Sequence, residues 1–499
     1  MDSYFYNMLT PDEQVHLSYL PTIPNLLNKI EADYSNLPAI TEDKETITYN
    51  TLIDNIGRRR QFIESLNLPL GSTIAVFERN SRDAIELFLA IMSAGYVVNM
   101  LPSQLAGPAL AGSLRKFNAK AMFIREEFVP VAKAAGVSIP TYSSKSTGDD
   151  YAPCCSEVNK DTVAAIYFTG GTTGMPKGVI LTHGNIMRGG YNGIFRPGCE
   201  TGKDRYITFL PFSHVFGSIR GLLSCLYTGS HIFTCTDMKV GIGSIPFIKP
   251  TCLVLVPGLC EIILGLAKLQ GEAFLGGCLK TIIAGAANVP PRLIGDLDKF
   301  GISVLQGYGL TESSNLVSGN ANYREKPESV GKVYPEQETK LVNGELWLKG
   351  DHIFQGYYGD SEKTKECFEG EWFKTGDLAR FDDEGFLYIV GRIKNLIILD
   401  NGENVSPESI EDMFYRNPLI KDCLVQKVEK NGSSILGIQI LPNTPAFANA
   451  SQNEIEEKLN LIVQEVNSTL PTYMQLRDVV VRTTDFKRSG SMKILRNQN

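Results

Sequence analysis

Residues 167–178 read Tyr-Phe-Thr-Gly-Gly-Thr-Thr-Gly-Met-Pro-Lys-Gly, with four glycines, three threonines and one lysine. Glycine lets a backbone turn its N–H groups inward around an anion, threonine hydroxyls add donors, and lysine adds charge. Thr169, Gly170, Gly171, Thr172, Thr173, Gly174 and Lys177 are therefore candidates for holding phosphate. The apolar run before them reads as a strand that delivers the loop to a sheet edge. A P-loop needs Gly-Lys-Ser/Thr opening a helix. Here Pro176-Lys177-Gly178 breaks that pattern, and residues 179–183 read as strand, which excludes a P-loop kinase or ATPase. A merely flexible turn accounts for the glycines but not for the hydroxyls and the lysine.

Three further stretches carry chemistry. In residues 307–314, Gly-Tyr-Gly-Leu-Thr-Glu-Ser-Ser, Tyr308 stands between the permissive Gly307 and Gly309, which suits a ring laid against a purine. Thr311 and Glu312 offer a hydroxyl and a carboxylate, and Glu312 suits magnesium, an ion bound by few carboxylates together with a nucleotide's phosphates. In residues 372–411, Asp377 follows a glycine turn and can accept both hydroxyls of a ribose, while Arg392 offers forked donors. Taken singly, Asp377 also fits an ordinary turn and Arg392 a solvated strand end. In residues 486–496, Lys493 sits among small residues and on its own reads as part of a basic, flexible terminus.

These residues need a scaffold, and the chain supplies one. Its 499 residues are 43% hydrophobic and 21% charged, which is enough apolar material for one large and one small domain. Strand-then-helix units recur in the first half: residues 72–77 read as strand, residues 81–95 as helix with Ser81 as N-cap and Gly95 as stop, and residues 96–101 as strand. The same grammar precedes both the glycine loop and residues 307–312. Such alternation predicts an α/β fold: a large N-terminal body of covered, mostly parallel sheets, with ligands beyond the carboxyl ends of the strands. After residue 392 the pattern changes. Ser406 and Pro407 open a helix, Asn431-Gly432 marks a hairpin, Ser451 and Glu454 form a capping box, and a strand follows. This predicts a small α+β C-terminal domain over residues 393–499, hung on a body of residues 1–392.

A net charge of -7 argues against nucleic acid as a partner, and Arg58, Arg59 and Arg60 read as the solvated face of a helix. No run is long and apolar enough for an integral membrane segment, and the start lacks a secretory layout. The ten cysteines show no CxxC spacing, which fits free thiols in a reducing, cytoplasmic setting.

Taken together and in order, the four motifs closely resemble those of the acyl-adenylate-forming superfamily, which includes acyl-CoA synthetases, peptide-synthetase adenylation domains and firefly luciferase. The resemblance implies ATP, Mg2+ and coenzyme A, or a carrier protein's phosphopantetheine, as cofactors and co-substrates. Residues 169–177 would hold the β- and γ-phosphates, with Thr169 near the metal. Gly285, Ala286 and Ala287, within residues 284–288, would border adenine and the acyl pocket. Tyr308 would lie against adenine, Thr311 would bind the α-phosphate, Glu312 would ligate magnesium, and Asp377 with Arg392 would take the ribose. Lys394 falls at the family's hinge. Lys493 matches the lysine that bridges carboxylate and α-phosphate, with Lys487 as rival because the local sequence Ser-Gly-Ser-Met-Lys departs from the usual Ser-Gly-Lys. His214, in Leu-Pro-Phe-Ser-His-Val-Phe-Gly, would line the route between acyl pocket and thiol channel, or else be a buried structural histidine. The phosphate loop reads Thr-Gly-Gly where many members have Thr-Ser-Gly.

The activity implied is ATP-dependent conversion of a carboxylic acid to acyl-AMP, with release of pyrophosphate, then transfer to a thiol. Val215 and Phe216 stand where amino-acid-activating relatives carry an aspartate, and an unpaired buried ammonium is costly, so an α-amino acid is disfavoured. Gly217 and Gly221 suggest an apolar pocket with room, which puts fatty or other aliphatic acids first and aryl acids second. Arg220 reads as a surface arginine, with a second substrate carboxylate as the other reading. The alternatives are an enzyme loading an acyl or peptidyl carrier protein, an aryl-CoA ligase, or a catalytically silent nucleotide-binding relative.

Overall fold

A computed structural model of the chain describes residues 3–169, 177–400, 402–430, 433–447, 450–488 and 494–496. The expected α/β architecture is present, and its strand-helix units form where the sequence pattern puts them. Thr73–Phe77 and Val97–Met100 are buried strands. They flank the helix Arg82–Ser93, which is capped by Ser81 Oγ accepting the Ala84 amide at 3.1 Å. Gly95 then turns the chain at φ 81°, a conformation that carries little penalty only for glycine.

The sheet that carries the phosphate-loop candidates has seven strands. Its edge strand Gly356–Tyr357 is followed by Lys177–Thr182, Val163–Thr169, Val97–Met100, Thr73–Phe77, Ala121–Ile124 and Thr141–Ser143. From Val163–Thr169 onward its pairs are parallel, whereas Val163–Thr169, Lys177–Thr182 and Gly356–Tyr357 pair antiparallel. A second sheet runs Cys252–Leu255, Thr281–Ala284 and Ser303–Tyr308 in parallel, then adds Ser318–Asn320 and Lys332–Val333 antiparallel. These two sheets deliver Thr169 and Tyr308 at strand ends.

The expectation of mostly parallel sheets needs correcting. A further sheet, built from Glu338–Val342, Glu345–Lys349, Trp372–Phe381, Phe368–Glu369 and Leu387–Arg392, is antiparallel in every pair. Its outer strand Glu338–Val342 has no buried residue, and an antiparallel sheet tolerates such a solvated face where a parallel one does not. Its first hairpin turns through Asn343 and Gly344, both at positive φ (50° and 81°), as two-residue hairpin turns require.

The arginine run is also not a solvated face. Arg59 and Arg60 are buried. Arg59 pairs with Glu86 at 2.7 Å and Asp83 at 2.5 Å, and Arg60 donates to the Ala152 carbonyl at 2.9 Å and Ser93 Oγ at 3.1 Å. Such partners offset the cost of burying a guanidinium, although Arg60 Nη2 has no hydrogen-bond partner among the described residues.

One apolar core runs from Phe5 to Leu387, and a separate one from Leu399 to Leu476. The second belongs to an α+β unit: the strands Ile420–Lys430, Ser433–Pro442 and Leu476–Val481, with the helices Pro407–Tyr415 and Gln452–Thr469. Asn431 and Gly432, the expected hairpin turn, lie outside the described residues. Ser451 and Glu454 form the predicted capping box. Ser406 does not cap its helix through its side chain. Its Oγ donates instead to the Val390 carbonyl at 2.8 Å, a bond that ties the small unit to the body's last strand.

Candidate active site

The two ends of the phosphate-loop segment are fixed by sheet pairing. Thr169 closes the strand Val163–Thr169 and lies directly opposite Lys177. Gly170, Gly171, Thr172, Thr173 and Gly174 lie outside the described residues. Lys177 extends over the Tyr357 ring, with Nζ 4.8 Å from its centroid, a favourable cation–π distance. The Tyr357 hydroxyl donates to Glu312 Oε1 at 2.8 Å. Burial, then the Glu312 charge, holds that hydroxyl far above its ordinary pKa, so it remains a donor. Tyr357 thus connects the loop's lysine to the proposed metal carboxylate. Sequence reasoning passed over it, although a Gly-Tyr pair ending a short strand was visible.

Glu312 and Thr311 open a short 3-10 turn, Thr311–Ser313, which packs against the strand ending in Thr169. The Glu312 carbonyl accepts the Phe354 amide at 2.9 Å, so the turn is tethered and the half-buried carboxylate faces the same region as Thr169 and Lys177. The glycines before it answer to backbone crowding. A side chain on Gly309 would start 1.5 Å from the Asn315 carbonyl oxygen, and one on Gly307 would start 2.5 Å from that of Ser318. Neither position accepts a Cβ without moving the loop.

Tyr308, Asp377 and Arg392 form one cluster. Asp377 and Arg392 are register partners on the antiparallel strands Trp372–Phe381 and Leu387–Arg392. Arg392 Nε lies 2.5 Å from Asp377 Oδ1, Arg392 Nη2 donates to Asp377 Oδ2 at 3.2 Å, and the Tyr308 hydroxyl donates to the same Oδ2 at 2.5 Å. The Asp377 amide donates to Thr375 Oγ1 at 3.0 Å. Asp377 is 1% exposed. Burial, then the Asp377 charge, pushes the Tyr308 phenol well above its ordinary pKa. The carboxylate read from sequence as a ribose acceptor is thus oriented by a cation and a phenol, and the ring read as an adenine platform is fixed at its hydroxyl end.

The segment around His214 departs from expectation. His214 is exposed, so it is not a buried structural histidine; its carbonyl accepts Ser218 Oγ at 3.0 Å. After it comes an eight-residue π-helix, Phe216–Leu223, a rare form that favours functional sites. The Phe216 ring abuts Gly285, coming within 3.1 Å of where a Gly285 side chain would start. Gly285 is buried, Ala286 and Ala287 are exposed, and Ala286 holds a positive φ of 66°. Gly217 is small because the Pro211 carbonyl oxygen lies 2.2 Å from its would-be Cβ, so it does not provide room for a substrate. Gly217 and Gly221 nevertheless border a small void with Thr208, Phe209 and Val254. Arg220 is not on the surface; it is 3% exposed.

Lys394 lies in the turn Ile393–Asn395, directly after the Asp377–Arg392 pair. Loss of surrounding solvent, then the Arg392 charge, lowers the pKa of its ammonium. The small unit contacts the body through Asn288 Nδ2 donating to Asp412 Oδ1 at 2.6 Å and through an Arg416–Glu328 ion pair at 2.7 Å. Lys493 lies outside the described residues. Its described neighbour Arg496 is anchored by Glu411 at 2.5 Å, and on the other side Arg488 pairs with Asp422.

Among the described residues no group of three or more His, Cys, Asp or Glu side chains could hold a metal. A magnesium ion here would rely on the Glu312 carboxylate and the Thr169 hydroxyl, with the remaining oxygens coming from a nucleotide. That donor set fits an oxygen-seeking ion that usually takes few protein ligands.

The family model described as AMP-binding enzyme matches residues 28–358, and that described as AMP-binding enzyme C-terminal domain matches residues 394–499. A probable CoA ligase of Humulus lupulus is 30% identical over 54% of this chain, a match spanning about half (52%) of that relative's length. The peroxisomal OPC-8:0-CoA ligase 1 of Arabidopsis thaliana is 26% identical over 76% of each chain, and a 2-succinylbenzoate–CoA ligase of Bacillus cereus is 25% identical over 81% of this chain and 85% of its own. Among solved structures, the anthranilate CoA ligase AuaEII in complex with anthranoyl-AMP superposes with TM-score 0.84, at 19% identity over 96% of both chains. The O-succinylbenzoate coenzyme A synthetase of Bacillus subtilis in complex with AMP does so with 0.80, at 22% identity over 95% of this chain and 98% of that one. The chain belongs to the AMP-binding enzyme family, the superfamily of acyl-adenylate-forming enzymes.

Proposed function

We propose that this protein is an AMP-forming acid–thiol ligase. It condenses a carboxylic acid with ATP to give acyl-AMP and pyrophosphate, and then passes the acyl group to the thiol of coenzyme A. The observation that carries the reading is the convergence of Thr169, Lys177, Glu312 and Tyr357 beside one strand end, with the Tyr308–Asp377–Arg392 cluster at the next sheet. The first group is suited to a polyphosphate and its cation, the second to a nucleoside.

The chemistry follows from charge. A carboxylate is a poor electrophile, and it must approach an α-phosphate that is also negative. Lys177 and residues 170–174 hold the β- and γ-phosphates, Thr311 donates to the α-phosphate, and Lys493 meets the two reactants at their point of contact. Bound to Glu312 and Thr169, Mg2+ supplies charge neutralisation on the phosphates. Preorganised cationic or donor groups of this kind are each worth about 3–4 kcal/mol of barrier. Asp377, oriented by Arg392 and Tyr308, takes the ribose, and Gly285, Ala286 and Ala287 border the adenine and the acyl chain. His214 lines the route by which the thiol reaches the carbonyl.

The body is residues 1–392 and the mobile domain residues 393–499. Rotation about Lys394 after the first step withdraws Lys493 and admits the thiol. Two relatives are named for 2-succinylbenzoate and indoleacetate as CoA ligase substrates, and this favours an aryl acid as a second reading beside an aliphatic one. The ten cysteines are all free, and no helix among the described residues is long and apolar enough to cross a membrane. The free thiols support a reducing, cytoplasmic setting.

Acid-dependent exchange of pyrophosphate into ATP, screened over aliphatic and aryl acids, tests the reading. Coenzyme A and a phosphopantetheinylated carrier protein are then compared as acceptors. Exchange with at least one acid, followed by acyl-CoA formation, is expected. ATP binding without acid-dependent exchange would mark a silent nucleotide-binding relative instead.

A further inference from the structure

Arg220 lies in the interior, and no described residue forms an ion pair with it. Its residue is 3% exposed, and Nη1 is buried without a hydrogen-bond partner among the described residues. Among the described residues, the groups that feel its charge supply no counter-ion. Cys225, Cys252 and Tyr334 are each pushed up by burial, Tyr334 to about 12, so all three are neutral near pH 7. Asp204 is already engaged: it pairs with Arg196 and accepts Thr251 Oγ1 at 2.6 Å and the Glu200 amide at 3.0 Å. A buried cation is tolerated when something pairs with it, and leaving it alone is strongly unfavourable.

A second orphan donor stands on the neighbouring helix. Asn192 is 1% exposed, and its Nδ2 is likewise buried and unpartnered among the described residues. Asn192 ends the helix His183–Asn192, and the next residue, Gly193, would set a Cβ 3.0 Å from Arg220 Cδ. Gly189, Asn192 and Gly193 share one face of that helix by their i, i+3, i+4 spacing. At Gly189 a Cβ would lie 2.2 Å from the Ser314 carbonyl oxygen and 2.8 Å from Ile219 Cγ2. The helix, the π-helix that carries Arg220, and the loop that follows Glu312 therefore meet with almost no side chain between them. Four residues before Arg220, and so about one turn away on the same face, Phe216 abuts Gly285. Gly217 and Gly221, on either side of Arg220, border the void with Thr208 and Val254.

We propose that Arg220, with Asn192, is the receptor for a second carboxylate on the substrate acid, at the end of the molecule away from the carboxyl that is activated. The inference rests on the acyl-activating reading above and narrows it. The substrate has an apolar body that runs past Phe216 and ends in an anion, which a guanidinium can accept through paired N–H donors and an amide can support through a third. Arg220 acts here as a specificity-determining residue and takes no part in bond formation.

The test is acid-dependent pyrophosphate exchange with straight-chain α,ω-diacids and aryl diacids, each set against its monomethyl ester, in the wild-type enzyme and in Arg220→Met and Arg220→Gln. A charged hydrogen bond formed in the complex predicts kcat/KM ~10- to 100-fold higher for the best diacid than for its ester. In both variants that ratio falls to about one, mainly through KM for the diacid, and the thermal midpoint does not fall. A wild-type preference for the ester, or an unchanged ratio in both variants, overturns the proposal. Calorimetric titration of the same diacids into the protein without ATP separates it from the parent reading. Binding that is lost in Arg220→Met upholds the receptor even if no exchange occurs, and absence of binding to the wild type contradicts it.

Discussion

Asp377 and Arg392 stand directly opposite each other on neighbouring antiparallel strands, with Arg392 Nε 2.5 Å from Asp377 Oδ1. The pair closes the body's last hairpin and immediately precedes the turn that contains Lys394. An interaction that orients the proposed ribose acceptor is therefore also the last fixed point before the proposed hinge. Asp377→Asn keeps the shape but removes the charge that Arg392 and Tyr308 address. It is expected to lower acid-dependent pyrophosphate exchange by ~10- to 100-fold, as loss of a charged hydrogen bond predicts, mostly as a higher KM for ATP. Steady-state kinetics at varied ATP checks this, and an unchanged KM would exclude Asp377 from nucleotide binding.

Tyr357 holds Glu312 by its hydroxyl and carries Lys177 on its ring. Tyr357→Phe keeps the ring and removes the hydrogen bond, whose net worth is about 1 kcal/mol. The Mg2+ concentration for half-maximal exchange should rise ~2- to 10-fold, whereas Tyr357→Ala, which also removes the cation–π contact, should raise KM for ATP as well. Titrations with Mg2+ and ATP distinguish the two effects.

Gly309 faces the Asn315 carbonyl so closely that no side chain fits. Gly309→Ala should therefore destabilise the body by about 1–3 kcal/mol through forced backbone displacement. Gly265, inside the helix Pro257–Gln270 and with nothing within 4 Å of its would-be Cβ, should respond oppositely. Gly265→Ala should gain up to about 1 kcal/mol from helix propensity. Denaturant unfolding of the two variants compares them directly.

Asp412 sits at the contact between the small unit and the body. Burial, then the neighbouring carboxylates Glu328 and Glu408, pushes it from 3.8 up to about 6. A carboxyl whose folded pKa exceeds its unfolded one binds more protons when folded. The contribution of Asp412 to stability is therefore greatest below about pH 4, falls as pH rises toward 6, and is level above that. Asp412→Asn keeps an acceptor for Asn288 and removes the titration. The difference in thermal midpoint between variant and wild type should thus grow in the variant's favour from pH 4 to pH 6. A difference that does not vary with pH would rule out this coupling.

The sequence carried the strand-loop grammar well, because burial makes both periodicity and caps explicit: Ser81, Gly95, Ser451 and the two ends of the phosphate loop stand as read. What it did not carry were pairings across distance. Nothing in the spacing of Asp377 and Arg392 shows that a hairpin bulge sets them opposite each other, or that Tyr308, far earlier in the chain, reaches the same carboxylate. Tyr357 was missed for the same reason: its partners Glu312 and Lys177 come from two other segments. The antiparallel sheet was missed although Asn343-Gly344 is a strong hairpin signal. Arg59, Arg60 and Arg220 show the limit of reading charge as exposure. Each is buried, the first two because their partners arrive from other elements.

Among all these tests, the half-reactions of Lys493→Ala bear most directly on the account, since it requires a C-terminal ammonium where the carboxylate meets the α-phosphate. Acyl-AMP formation should fall by ~100- to 1,000-fold, as loss of one electrostatic contact to a transition state predicts, while acyl-CoA formation from supplied acyl-AMP stays largely intact. Equal losses in both half-reactions, or no loss in the first, would contradict it.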